Sequence, residues 1–116
     1  MYTVIVEIRL RQVEKYTALN GACPFDEWYS GLKDKTIRAR IFNRIERIKS
    51  GNLGDWKVVG EGVKELRLDF GPGYRLYIGE ERETVVILLV GGDKSTQQKD
   101  IVYACELWKE HQDANE

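Results

Sequence analysis

Apolar residues recur at two different periods along this chain, and the changes of period mark its elements. "YTVIVEIRL" (Tyr2 to Leu10) is rich in β-branched residues and reads as a strand. No basic leader precedes its apolar run and no small-residue cleavage site follows, so a strand is expected there rather than a signal peptide. "TALNGACP" (Thr17 to Pro24) reads as loop. Pro24 suits a first helical turn, and Phe25, Trp28, Tyr29 and Leu32 then fall at helical spacing. Asp34 can cap a second helix, whose apolar stripe is Ile37, Ile41, Phe42, Ile45 and Ile48. Its opposite face is expected to carry Arg38, Arg40, Arg44 and Arg47, and Gly51 to end it in the left-handed conformation. "GNLGDWKVVGEG" (Gly51 to Gly62) has four glycines and reads as a connection with room for a short strand.

Three strands follow. "VKELRLDF" (Val63 to Phe70) and "YRLYI" (Tyr74 to Ile78) alternate, whereas "TVVILLV" (Thr84 to Val90) is apolar throughout, the pattern of a central strand buried on both faces. Ser95 and Gln98 fit the capping box S-x-x-Q, so a last helix is expected from about Thr96, with Ile101, Ala104, Cys105 and Trp108 on its inner face. The expected order is strand, two helices, three strands, helix.

Alternation sorts the hairpin into two faces. Matching apolar to apolar pairs Phe70 with Tyr74, Leu68 with Leu76 and Leu66 with Ile78, around a three-residue loop Gly71–Pro72–Gly73. That register sets Asp69 opposite Arg75 and Arg67 opposite Tyr77, and gathers Glu65, Arg67, Asp69, Arg75 and Tyr77 on a polar face. Charged strand faces are common, and exposed cross-strand ion pairs contribute only ~0.2–1 kcal/mol. Two arginines and a tyrosine in one cluster nevertheless suit phosphate binding and base stacking. The Gly-Pro-Gly loop adds no side chain to block them.

Composition narrows the chemistry. The 116 residues fit one domain, 42% hydrophobic and 32% charged, and no apolar run approaches the ~20 residues of a membrane helix. Net charge is −1, but from Lys33 to Lys49 seven Lys/Arg stand against two acids, a block that can meet nucleic acid or an acidic partner, or form a solvated helix face. Cys23 and Cys105 match no ligand spacing and are expected as free thiols in a reducing compartment. The lone histidine, His111, excludes a His-rich metal site and any mechanism that needs two histidines. "GGDKSTQ" (Gly91 to Gln97) joins a strand to a helix as an anion-binding turn would, but Asp93 stands where the P-loop pattern needs its last glycine.

Taken together, "PFDEWYSGLKD", the ordered run "GNLGD…VGEGV-ELR…FGPGYR-Y" and "LL-GGDKSTQ-KDI" resemble the RelE/ParE superfamily of toxin–antitoxin toxins, and more closely its HigB-like addiction module killer branch. The resemblance covers nearly all of residues 1–116 and implies one toxin domain. It implies an α+β, RelE-like fold: two N-terminal helices packed on a mainly antiparallel sheet of about four strands, with a C-terminal helix. It also implies a cytoplasmic toxin that cleaves mRNA on the ribosome, needs no metal or cofactor, and is neutralised by a cognate helix-turn-helix antitoxin. In such toxins the RNA's own 2′-hydroxyl attacks, and the protein must orient it, stabilise the crowded phosphate and assist proton transfer. Arg75 matches the arginine expected to hold the scissile phosphate, Arg67 a cationic position on the preceding strand, and Lys94 the basic residue after the last strand. Glu65 is the expected proton acceptor, with a tether for Arg67 as the alternative. Tyr74 and Tyr77, poor bases at a pKa of ~10, are expected to pack or stack against RNA. The same fold also serves non-catalytic ends: inhibition of DNA gyrase in the ParE branch, or, in a decayed toxin, antitoxin binding alone.

Overall fold

The computed structural model describes residues 10–115. The strand expected from Tyr2 lies outside the described residues except for Leu10, which is not in a strand. The elements are β1 (Gln12–Lys15), α1 (Pro24–Gly31), α2 (Lys35–Lys49), β2 (Trp56–Gly60), β3 (Val63–Arg67), β4 (Arg75–Glu81), β5 (Val85–Gly92), a 3₁₀ turn (Lys94–Thr96) and α3 (Gln97–Ala114). The five strands form one mixed sheet in the order β1-β5-β4-β3-β2. β1 runs parallel to β5, and the other pairs are antiparallel. The class is α+β, as expected, with five strands rather than about four. Two of the five described strands were not expected: β1, just after the run that begins at Tyr2, and β2, inside the glycine-rich connection, where Trp56-Lys57-Val58-Val59 is too short a run to outweigh its flanking glycines. No helix among the described residues is long and apolar enough to cross a membrane.

Helices cover both faces of the sheet. α1 and α2 pack on one face, where Phe25, Ile41 and Ile48 meet Leu66, Leu68, Leu76, Ile78, Val86 and Leu88. α3 packs on the other, where Ala104, Leu107 and Trp108 meet Val63, Tyr77, Ile87 and Leu89. β5 is buried on both faces through Val86–Val90, which explains its unbroken apolar run. It lies second in the sheet, however, and β4 takes the centre.

Local signals account for most boundaries. Asp34 caps α2, its carboxylate accepting from the Thr36 amide at 2.8 Å. Gly51 follows α2 with φ 94°. The stripe on α2 differs from expectation in two residues. Phe42 is 54% exposed and Arg44 only 6%. At about 100° per residue, Arg44 falls only about 20° from Ile37, on the edge of the buried stripe, whereas Phe42 lies roughly 140° from Ile37.

α3 sits close to the sheet because β4 offers a glycine beneath it. A methyl group at Gly79 would collide with the Trp108 ring. Gly79→Ala is therefore expected to cost about 1–3 kcal/mol through overpacking. The measurement is a lower urea midpoint at an unchanged slope. An unchanged midpoint would mean that α3 can lift away without loss.

Candidate functional site

Glu65 organises the polar face of the sheet. It pairs with Tyr77 across β3–β4 and with Lys57 across β2–β3, and Arg67 pairs with Arg75. These five side chains share the face that α3 covers. Glu65 is 0% exposed. Its Oε2 accepts from the Tyr77 hydroxyl at 3.0 Å and from Gln97 Nε2, on the first turn of α3, at 3.0 Å. Its Oε1 faces Arg75 Nε at 3.6 Å, Arg67 Nε at 3.7 Å and Lys57 Nζ at 3.9 Å. Those separations exceed hydrogen-bond length, and both Oε1 and Arg75 Nε are buried without a hydrogen-bond partner among the described residues. Three cations thus converge on one carboxylate, which leaves local positive charge in excess.

The register corrects the expected pairing. Arg67, not Asp69, lies opposite Arg75, and Leu66, not Leu68, lies opposite Leu76. The ladder closes at the bond from the Leu68 amide to the Tyr74 carbonyl, 3.0 Å, so the turn spans Asp69–Gly73 rather than three residues. Gly71 and Gly73, at φ 66° and 78°, carry the chain around it. Asp69 turns instead toward α2, where its charge acts on Arg44.

Lys94 joins this cluster from the far end of β5. Its amide donates to the Pro72 carbonyl at 3.3 Å, tying the strand-to-helix turn to the Gly-Pro-Gly turn. Arg75 Nη1 donates to the Gly73 carbonyl at 2.6 Å. A Cβ on Gly73 would meet Arg75 Nη1 at 3.0 Å and Lys94 Cβ at 3.2 Å, so Gly73 makes room for both cations. Asp93 starts the 3₁₀ turn in a capping box with Thr96 and accepts from the Ser95 amide at 2.8 Å. These Ser95 bonds, with the charge of Arg75 adding, hold the Asp93 carboxyl below its ordinary pKa. Stability from a depressed carboxyl is present above the unfolded-state pKa and lost as pH falls through the folded value. Asp93→Ala is accordingly expected to cost about 1 kcal/mol near neutrality. Parallel melts of parent and variant should converge as pH falls through the depressed folded-state value, and a gap persisting in acid would exclude the cap as its source.

The structure therefore brings together Arg67, Arg75, Lys94 and Glu65, but it rearranges the tyrosines and the access. Tyr77 is 0% exposed beneath α3, so it supports Glu65 from below and presents no ring to RNA. Burial first, and then the Glu65 charge, push its pKa up, keeping the phenol neutral and a hydrogen-bond donor. Tyr74 points to the opposite face, its ring 6.2 Å from Trp28 and 5.8 Å from Phe70, in the core under α1. The expected open polar face is instead closed by α3 over Glu65 and Tyr77. Only its rim is accessible: Lys57 and Arg67 keep about half their side-chain surface and Lys94 is exposed, whereas Arg75, expected on an open face, is buried at 9% exposure. Two members escaped the sequence reading. Lys57 sits in the short run Trp56–Val59 within the glycine-rich connection, which carries no alternation to single it out. Gln97 continues the inner stripe of α3 at four-residue spacing before Ile101. Cys23 and Cys105 are free thiols, the latter 3.6 Å from the Gly60 carbonyl.

Over 80 residues, 69% of this chain and 81% of its relative, the sequence is 52% identical to a Haemophilus influenzae (strain Rd) protein described as an uncharacterized protein. No family model matches the chain, and no solved structure matches it.

Proposed function

The chain belongs to the same family as the uncharacterized Haemophilus influenzae protein, and from that premise we propose a role for its polar cluster. The chain is a RelE-like toxin of the RelE/ParE superfamily, HigB-like branch, from a type II toxin–antitoxin pair, and it cleaves mRNA on the ribosome. The observation that carries this reading is the convergence of Arg67, Arg75 and Lys57 on buried Glu65, with Lys94 tied to the Gly-Pro-Gly turn beside Arg75. One carboxylate holds several cations without neutralising them, and the surplus charge faces the rim of the sheet. A phosphodiester approaching that rim meets the half-exposed Arg67 guanidinium and Lys94, and reaches Arg75 only at its exposed edge. Such groups stabilise charge that develops on a phosphate at little reorganisation cost.

Within this reading the chemistry divides simply. The RNA supplies its 2′-hydroxyl as nucleophile. Arg75 and Lys94 stabilise the crowded phosphate, and Arg67 and Lys57 attract and align the strand. Glu65 is a positioning residue: it meets no solvent and acts through the arginines it holds. Its full burial also favours a second reading, in which the same rim binds its target without cleaving it. The protein would then resemble the gyrase-binding branch or serve only as an antitoxin-binding module.

The test is induced expression with and without the neighbouring helix-turn-helix open reading frame, followed by mapping of mRNA 5′ ends. Growth arrest with new 5′ ends in translated messages, relieved by the partner, is expected. Arrest with intact messages and broken DNA would assign the gyrase-type alternative. Normal growth at high soluble expression would overturn the toxin reading altogether.

A further inference from the structure

A second cationic feature lies beside the Glu65 cluster and plays no part in the reading above. Arg40, Arg44 and Arg47 follow one another along one side of α2, within a turn or two of helix. Arg44 is the unusual member. It is 6% exposed, its Nη2 donates to the Leu53 carbonyl, and its Nη1 is buried with no hydrogen-bond partner among the described residues. Gly54, at φ +68°, makes room for this guanidinium, since a Cβ there would lie 2.6 Å from Arg44 Cζ. Burial holds the Arg44 pKa below its ordinary value, with Arg47 adding and Asp69 opposing. The site is thus a built one, in which a buried fork donor lacks an acceptor.

Arg44 lines a groove of about 420 Å³ with Arg47, Arg67, Asp55 and Asp69. A smaller cleft of about 190 Å³ carries on past Arg40, which lies 4.2 Å over the Phe70 ring. Arg67 is shared, for it lines this groove and also faces Glu65 at 3.7 Å. Arg40 to Arg47 spans roughly 10 Å of helix axis. That is the length of about three stacked nucleotides at ~3.4 Å each. A single compact anion would leave most of it empty. Asp55 and Asp69 repel a purely anionic ligand but accept from hydroxyl and amino groups, which a ribonucleotide carries next to its phosphates.

We infer that this groove binds the sugar–phosphate backbone of single-stranded RNA, with a phosphate oxygen on Arg44 Nη1. It forms a track that leads over Arg67 to the rim of the Glu65 cluster. The inference rests on the RNA reading of that cluster and adds a second, separately removable contact.

The probe is a fluorescein-labelled, unstructured 12-nucleotide RNA, followed by anisotropy from 20 to 200 mM NaCl. Because Arg44 also holds Leu53, Arg47→Gln, at an exposed position, is measured beside Arg44→Gln. Each is expected to weaken binding about tenfold at low salt and to lower the slope of log affinity against log salt by about 0.7, one single-strand phosphate. Parent-like affinity and slope in both variants, with Arg75→Ala weakened, would overturn the groove and leave the cluster reading standing. Loss in the groove variants with parent-like Arg75→Ala would keep the groove and overturn the cluster as an RNA contact. Parent-like RNA binding by Arg47→Gln together with lost rescue by the helix-turn-helix partner would assign the groove to a protein carboxylate, against the inference. Failure of the parent to bind RNA at 20 mM salt would overturn the groove outright, while cleavage is judged separately on mapped 5′ ends.

Discussion

Arg75→Ala is expected to abolish growth arrest and to lower RNA cleavage by about a hundredfold or more, while the protein still folds. The rate effect follows from removing one fixed donor to a phosphate whose charge grows in the transition state, worth ~2–4 kcal/mol. The stability effect is small because Glu65 keeps cationic partners without Arg75. Arg67 at 3.7 Å and Lys57 at 3.9 Å still face Glu65 Oε1. The Gly73 carbonyl loses the bond from Nη1, but it sits in a solvent-reached turn. The net cost is about 1 kcal/mol, or roughly 4 °C in Tm. Arg75→Lys should restore little, since lysine keeps the charge but not the planar fork. Asp69→Ala should leave cleavage near parent, because Asp69 faces α2 rather than Arg75. Toxicity retained in Arg75→Ala would remove the phosphate role.

Glu65→Ala is expected to have the largest effect on stability of any single substitution in the cluster. It strands the Tyr77 hydroxyl and the Gln97 amide, which now share Oε2. It also leaves three cations facing one another with no anion between them. Breaking a buried, hydrogen-bonded charge cluster from its centre typically costs ~3–5 kcal/mol, or a fall of roughly 10–20 °C in a domain of this size. Glu65→Gln keeps the shape and one acceptor, and should cost about 1–2 kcal/mol. Added salt should recover part of that loss by screening the arginines. The pair of variants separates two roles. Glu65→Gln with parent stability and no cleavage would make Glu65 a proton acceptor, whereas loss of stability and activity together marks a positioning residue.

Alternation along β3 and β4 was enough to place Glu65, Arg67, Arg75 and Tyr77 on one face, because side-chain direction has a period of two. Register was harder. A slip of two residues preserves every face, so matching Leu68 or Leu66 to Leu76 satisfies the pattern equally well. The choice goes with Phe70 and Tyr74: Tyr74 packs on both Phe70 and Trp28 off the end of the ladder, where the turn widens. The sequence carries no sign of that until α1 is in place. The same holds for the cover on the polar face. Trp108 and Ala104 were legible as an inner stripe, but an apolar stripe does not say which face of a sheet it will meet. α1 and α2 already occupy the apolar side of the hairpin, so α3 takes the side that carries Glu65. Arg44 was readable from helical angle alone. It escapes notice when charge is taken as a sign of exposure.

The parallel pairing of β1 with β5 has a consequence for the order of folding. β2, β3, β4 and β5 form a meander in which each strand pairs with its neighbour in sequence. Gln12, by contrast, pairs with Val85, and closing a loop of roughly seventy residues carries an entropic cost that local hairpins avoid. The meander, with Glu65 and its cations, is therefore the natural nucleus, and β1 docks late onto a sheet that already exists. Contacts made late scarcely slow folding when removed, but they speed unfolding. Val13→Ala, on β1, should steepen the escape from the native state while leaving refolding nearly unchanged, whereas Leu76→Ala, in the meander, should retard refolding itself.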